Sequence, residues 1–312
     1  MVSVTATDDA GGAARCDLEV TVRDVFAPVG LRVISAELAG DGTTDVTLGW
    51  EDGGGADTTA VRLERATAPG GPFSAIATLD AAPGAATYTD ADAPAPVAYY
   101  RLVALAGAVE GGVAAPVRAL SVAAEGYHLR DEAVPGIGFR TSLYGVVRYP
   151  MELSRGPFPL VVLLHGNHGT CRPSDGREDQ CETRTAHDCQ DARFTTTPNA
   201  EGYLYLQETL AASGYVTVSL SANALNCRNG FLRERTQLIL EHLRRWRVWG
   251  GAGGPPFGAT FAGAVDLSRV ALVGHSRGGE AVAGAPPALE ASPIPGVAIA
   301  SVLGIGSTDY ET

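Results

Sequence analysis

Apolar and polar positions change their period twice along this chain. In residues 1–25, Val2, Val4 and Ala6 alternate with polar neighbours, Asp9-Ala-Gly-Gly interrupts, and Leu18, Val20 and Val22 alternate again. A period of two on either side of a turn reads as one β-hairpin. A lone hairpin is marginal in water, so it is either the tail of a module that begins upstream or an ordinary hairpin packed on the next domain. Between 27 and 122, short alternating runs cover 30–38, 44–50, 60–66, 73–79, 87–90, 97–105 and 113–120, separated by Gly40-Asp-Gly, Asp52-Gly-Gly-Gly, Pro69-Gly-Gly-Pro and Pro83-Gly. Short strands with that punctuation predict an all-β sandwich.

From 124 the pattern changes again. Residues 141–149 alternate as a strand, whereas 158–164 and 215–220 are continuous apolar runs. Tyr203–Ala212 has helical spacing and stops at Ser213-Gly214. Between Phe231 and Trp249, Leu232, Ile239, Leu243, Trp246 and Trp249 fall on one helical face, and Arg233, Arg235, Arg244, Arg245 and Arg247 are expected mostly off it. Val270–Val273 and Val297–Ile305 read as further strands around a short helix at 278–289, weakened by Pro286-Pro287. Apolar strands alternating with helices predict a parallel sheet. The change of period puts a domain boundary between 120 and 127, in an exposed small-residue linker.

Composition narrows the class. The 312 residues are 45% hydrophobic and 19% charged, which excludes a disordered chain. No apolar run approaches the roughly 20 residues of a membrane helix. A net charge of −12 argues against nucleic acid or an anionic membrane as partner. Cys171, Cys181, Cys189 and Cys227 cluster, and Cys16 stands apart. They lack C-x-x-C spacing, so a structural zinc site is not expected, and a metal cluster using His187 is poorly spaced. Disulfides among the four are expected, with three pairings open and Cys16 free, which implies an oxidising compartment. Residues 1–8 hold no basic and apolar leader. The expectation is a secreted, periplasmic or cell-surface protein whose true N-terminus lies upstream.

The chemistry concentrates in two strand ends. Val270-Ala-Leu-Val-Gly274-His275-Ser276-Arg277-Gly278-Gly279-Glu280 places G-x-S-x-G between an apolar strand and a helix. That context is a nucleophile elbow: the serine takes strained dihedrals in a turn of almost no length, and glycines stand where a Cβ would clash. Val161-Val-Leu-Leu-His165-Gly166-Asn167-His168-Gly169 ends another apolar run. Acyl transfer needs two donors for its oxyanion. The backbone N–H groups of Arg277 and Asn167 are the candidates. His165 and His275 are expected to hydrogen-bond nearby backbone, and His168 is the weaker choice as a base.

Three family resemblances rest on these residues. Residues 1–25, with Thr5-Ala-Thr-Asp and Cys16, resemble the last two strands of a hyalin-repeat or related immunoglobulin-like module, which implies a partner for Cys16 upstream. Residues 27–122, with Trp50 ending VTLGW and Tyr99 and Tyr100 in VAYYRLVAL, resemble a fibronectin type III domain, its aromatics in the core. Residues 124–312 resemble an α/β-hydrolase of the secreted bacterial esterase kind, near the acetylhydrolase, cutinase and dienelactone hydrolase branches, cut after about the sixth strand. That resemblance implies Ser276 as nucleophile, Asn167 and Arg277 as oxyanion donors, no cofactor and no metal. It also implies an acid and then a histidine after the serine. His128, His165, His168, His187, His242 and His275 all precede or adjoin Ser276 on its N-terminal side. The acid is Asp309, in Ser307-Thr-Asp-Tyr, or a residue beyond 312, and the chain is expected to be cut at both ends. The expected function is serine esterase action on an ester-bearing small molecule, lipid or polymer. The alternative is an extracellular adhesion protein with an inactive hydrolase-like domain.

Overall fold

A computed structural model describes residues 2–7, 13–18, 25–51, 54–81, 84–175, 186–226 and 231–310, with side chains from residue 25 onward. At the front, β1 (Val2–Thr7) and β2 (Ala13–Leu18) pair antiparallel, Val2 opposite Leu18 and Thr7 opposite Ala13. Eight strands come next: β3 (Arg32–Leu38), β4 (Thr44–Trp50), β5 (Ala60–Ala66), β6 (Ser74–Asp80), β7 (Ala86–Ala93), β8 (Val97–Ala106), β9 (Val109–Val113) and β10 (Val117–Leu120). The run expected as one strand over 113–120 is two. Pro116 has no N–H to give the ladder, and β9 turns back on β8 through Gly107 at φ 62°. One sheet has the order β10-β8-β5-β6 with β9 also on β8. Trp50 and Tyr100 are buried and Tyr99 half-buried, in line with core packing.

The remaining strands are β11 (Val122–Ala133), β12 (Arg140–Pro150), β13 (Phe158–Leu164), β14 (Cys171–Pro173), β15 (Phe194–Thr196), β16 (Val216–Leu220), β17 (Val265–His275) and β18 (Ile299–Ile305). A nine-stranded sheet runs β18-β17-β13-β16-β12-β11-β3-β4-β7. β13 is parallel to both β16 and β17, and β17 to β18. All of β16 and nearly all of β13 is buried, which is why their sequences are continuous apolar runs. The chain packs as two compact, discontinuous units: Met1–Arg32, Gly49–Thr87 and Tyr99–Val117 in one, and Val33–Leu48, Tyr88–Ala98 and Arg118–Thr312 in the other.

Two expectations need correction. The segment after 120 is a paired strand rather than a linker, although Ala124, Glu125 and Gly126 are exposed. Ser121 is buried, its N–H donates to Pro96 O and its carbonyl accepts from Met151 N–H, and β11 pairs along β12 from Val122 opposite Pro150. The last strand is an exposed apolar edge, as a strand at the end of a sheet is. Among the described residues β18 pairs only with β17, at the edge of the sheet, and Val302, Leu303 and Ile305 are exposed. Arg235 is not off the apolar stripe of its helix. It comes three residues after Leu232 and four before Ile239, which is the core face, and it is buried.

Three α-helices position the site. α1 (Leu204–Ala212) stops at Gly214, whose φ of 98° suits a residue without Cβ. α2 (Leu232–Gly251) contributes Ile239, Leu243, Trp246 and Trp249 to the same core as Leu160, Val218 and Leu272. α3 (Arg277–Ala291) continues through Pro286 and Pro287 despite the two lost donors, burying Ala281, Val282 and Ala285.

Candidate active site

Ser276 stands between the last residue of β17 and the first of α3, with no loop between. Its φ of 54° and ψ of −123° put a side chain in backbone territory that costs on the order of 1–3 kcal/mol. Ser276 N–H donates to Ile305 O at 2.9 Å, and Ser276 O accepts from Gly279 N–H at 2.8 Å. The flanking glycines are required sterically. A Cβ on Gly274 would stand 2.1 Å from Gly278 O, and one on Gly278 would stand 2.2 Å from Leu164 O. Sequence spacing and local geometry therefore agree on a tight elbow at the carboxyl end of β17. Among the described residues, no group hydrogen-bonds the Ser276 hydroxyl, which is half-buried.

The loop after β13 lies directly against this elbow. A Cβ on Gly166 would come within 2.8 Å of Ser276 Cβ. Side chains hold the loop's carbonyls. His165 Nδ1 bonds Gly166 O at 2.8 Å, Asn226 Nδ2 donates to His168 O at 3.0 Å, and Asn199 Nδ2 donates to Gly169 O at 2.9 Å. In a planar trans peptide the C=O and the following N–H point opposite ways. Fixing Gly166 O thus aims the N–H of Asn167 away from the imidazole. Ala222 N–H donates to His165 Nε2 at 2.9 Å, so Nδ1 must carry the ring proton. Burial, then the nearby Arg235 guanidinium, pushes the His165 pKa down to about 3, and the ring stays neutral.

His168 and His275 differ from His165. Both are exposed, and their rings stack with centroids 6.2 Å apart, 6° from parallel. Neither ring hydrogen-bonds a described residue, so the backbone bond expected of His275 is absent there. Burial and the proximity of His275 lower the His168 pKa. Together with His165, Asn199, Tyr203 and Tyr205 they line a cavity of about 450 Å³.

Asp309 lines a different cavity, of about 480 Å³, with Leu232, Thr236, Glu280 and Gly284, and no histidine lines it. Asp309 itself is exposed. Glu280, in the first turn of α3, anchors the segment around it, accepting from Thr308 Oγ1 at 2.6 Å and Tyr310 N–H at 3.0 Å. Arg277 places its side chain 6.0 Å from the Tyr310 ring.

Cys171 and Cys189 form a disulfide with an S–S distance of 2.00 Å. Cys181, Cys227 and the side chain of Cys16 lie outside the described residues. The bridged loop lays His187 on Tyr144, rings 3.9 Å apart and 5° from parallel, with Nδ1 bonded to Ser221 Oγ at 2.8 Å. Burial lowers the His187 pKa to about 4. Among the described residues, no three His, Cys, Asp or Glu side chains form a metal-ligand group.

Asn199 and Asn226 were not named from the sequence, and Arg235 and Glu280 were named without a role. Three of them act on backbone far away in the chain, which no local spacing reports. Arg235 did carry a signal, a charge within an apolar stripe.

No protein-family model matches the chain, and a search of curated proteins finds no match. Among solved structures, a bacterial heroin esterase aligns at 14% identity over 56% of this chain, with a TM-score of 0.34; the chain spans 42% of that protein's length. An Fn3-like protein from Clostridium thermocellum aligns at 28% identity over 31% of this chain and 92% of that one, with a TM-score of 0.24.

Proposed function

We propose that this chain is a serine hydrolase acting on carboxylic esters through an acyl-enzyme on Ser276, within an α/β-hydrolase domain that comes after a fibronectin type III-like sandwich. The observation that carries the reading is the positive-φ Ser276 between β17 and α3, with Gly166 packed against it. Ser276 Oγ attacks the ester carbonyl and its proton leaves for a general base. The C–O bond breaks, the alcohol departs with a proton, and water then releases the acid. The N–H groups of Asn167 and Arg277 stabilise the oxyanion. The N-terminus of α3 adds a favourable dipole. The substrate is an ester-bearing small molecule, lipid or polymer entering the cavity beside His168 and Tyr205. The Cys171–Cys189 bridge supports an oxidising, extracytoplasmic location.

A second reading, an extracellular binding protein whose hydrolase-like domain is inactive, is favoured by one observation: no described residue bonds the Ser276 hydroxyl. Residues 1–312 are therefore expected to turn over esters slowly, because a serine hydroxyl without an adjacent base is a weak nucleophile. p-Nitrophenyl acetate and butyrate hydrolysis, with Ser276→Ala as control, decides between them. Slow release that disappears in Ser276→Ala supports the enzyme; equal release from both proteins leaves the binding reading. Strong turnover lost on His168→Ala would make His168 the base.

A further inference from the structure

Arg235 differs from the other arginines of α2 in being 1% exposed. Its Nη2 donates to Asn226 Oδ1, while Nη1 has no hydrogen-bond partner among the described residues. A buried charge without a carboxylate is costly, so a fold retains one only against an offsetting gain. Asn226 is fully buried and uses both ends of its amide, Oδ1 towards Arg235 and Nδ2 towards His168 O. A guanidinium has donors only. It therefore decides which way the amide faces, and the amide in turn holds the His168–Gly169 peptide.

We infer that Arg235 and Asn226 are positioning residues for the oxyanion loop, the arginine setting the orientation of the amide and the amide anchoring the loop carbonyl at His168. The inference rests on the reading of Ser276 as nucleophile. With His168 O drawn back towards Asn226, the N–H of Gly169 points the other way, just as the bond from His165 to Gly166 O directs the N–H of Asn167. The loop's carbonyls are thus held from behind by His165, Asn226 and Asn199, from three separate parts of the chain. The guanidinium is also close enough to His165, His168 and Arg277 for its charge to be felt by each. An unneutralised cation behind the loop favours the negative charge that develops in front of it.

The decisive variant is Asn226→Asp. It keeps the shape and gives Arg235 a carboxylate partner, but places an acceptor against His168 O. Phosphonylation of Ser276 by a fluorophosphonate at high probe concentration, read by intact mass, is measured beside the melting temperature. The expected result is labelling about 10–100-fold slower, the scale of a displaced or lost oxyanion donor, with a melting temperature at or above that of the wild type. Arg235→Gln, which can still donate to Asn226, should keep more of the rate than Arg235→Met. Labelling of Asn226→Asp at the wild-type rate overturns the positioning role and leaves the nucleophile reading intact. So does a rate loss that merely parallels a falling melting temperature in both the Asp and Gln variants. Preferential labelling of another residue in the folded wild type removes the nucleophile and, with it, the positioning role.

Discussion

The loop after β13 and the segment after β18 reach Ser276 from the two neighbours of β17 in the sheet. The first is buried at its root, its carbonyls are held by His165, Asn226 and Asn199, and a Cβ at Gly166 would touch Ser276. The second is exposed from Val302 to Tyr310, apart from half-buried Thr308, and meets the elbow through Ile305 O and Thr308 N–H, with Glu280 as its side-chain anchor. Strand β13 has a partner on each side, whereas β18 has one. Preorganisation is therefore complete on one side only. The oxyanion role proposed for the loop after β13 would need fixed dipoles before substrate arrives, and the bonds that fix its carbonyls are in place. Among its described residues, the segment after β18 contributes one carboxylate, the exposed Asp309.

The largest effect should come from removing the space between loop and elbow. Gly278→Ala puts a Cβ 2.2 Å from Leu164 O and 2.8 Å from His165 O. Ser276 labelling should vanish and stability fall by about 3 kcal/mol, read from urea unfolding. Unchanged labelling would mean that the two elements are not locked together.

His165→Ala comes next. It frees Gly166 O, leaves Ala222 N–H unpaired, and should slow labelling about 10²-fold while costing about 1–3 kcal/mol. A loss of stability without a loss of rate would separate the loop's order from the chemistry.

A pH titration compares the two sides within one protein. Burial, the leading cause for each, lowers the pKa values of His165, His187 and His242 to about 3, 4 and 3, from the ordinary 6.5. Below pH 6.5 the unfolded chain takes up protons that the folded one refuses. Stability is therefore complete above that pH and lost as it falls towards 4, by up to about 1.4 kcal/mol per unit for each histidine. Hydrogen exchange at 165–170 should rise with acid before that at 299–305, which contains no histidine. Simultaneous loss would make the two regions one cooperative unit.

The smallest change is expected from Asp309→Asn. An exposed carboxylate in a cavity that no histidine lines should change the labelling rate by less than about threefold. A tenfold drop would make Asp309 the acid and the β18 side as organised as the other.

How much the sequence made legible depends on how local each constraint is. The elbow is written in five consecutive residues, because the clash that excludes a Cβ at Gly274 involves Gly278. The parallel strands are legible at β13 and β16, whose apolar runs match two buried faces. At β18 the same apolar pattern marks a strand but does not say how many neighbours it has. Pro116 could have divided the 113–120 run. The buried Ser121 could not have been foreseen, since Pro96 and Met151 hold it from distant positions. The ties of Asn199 and Asn226 to the loop are equally non-local and left no periodic trace.

The proposed chemistry requires Ser276 to be a nucleophile held at a preformed oxyanion site. Treating residues 1–312 with a fluorophosphonate and mapping the adduct by peptide mass spectrometry addresses that point without any assumption about substrate. A single adduct on Ser276 is expected, absent from Ser276→Ala and slowed in Asn226→Asp. An adduct formed preferentially on another residue while the protein remains folded would rule the nucleophile out.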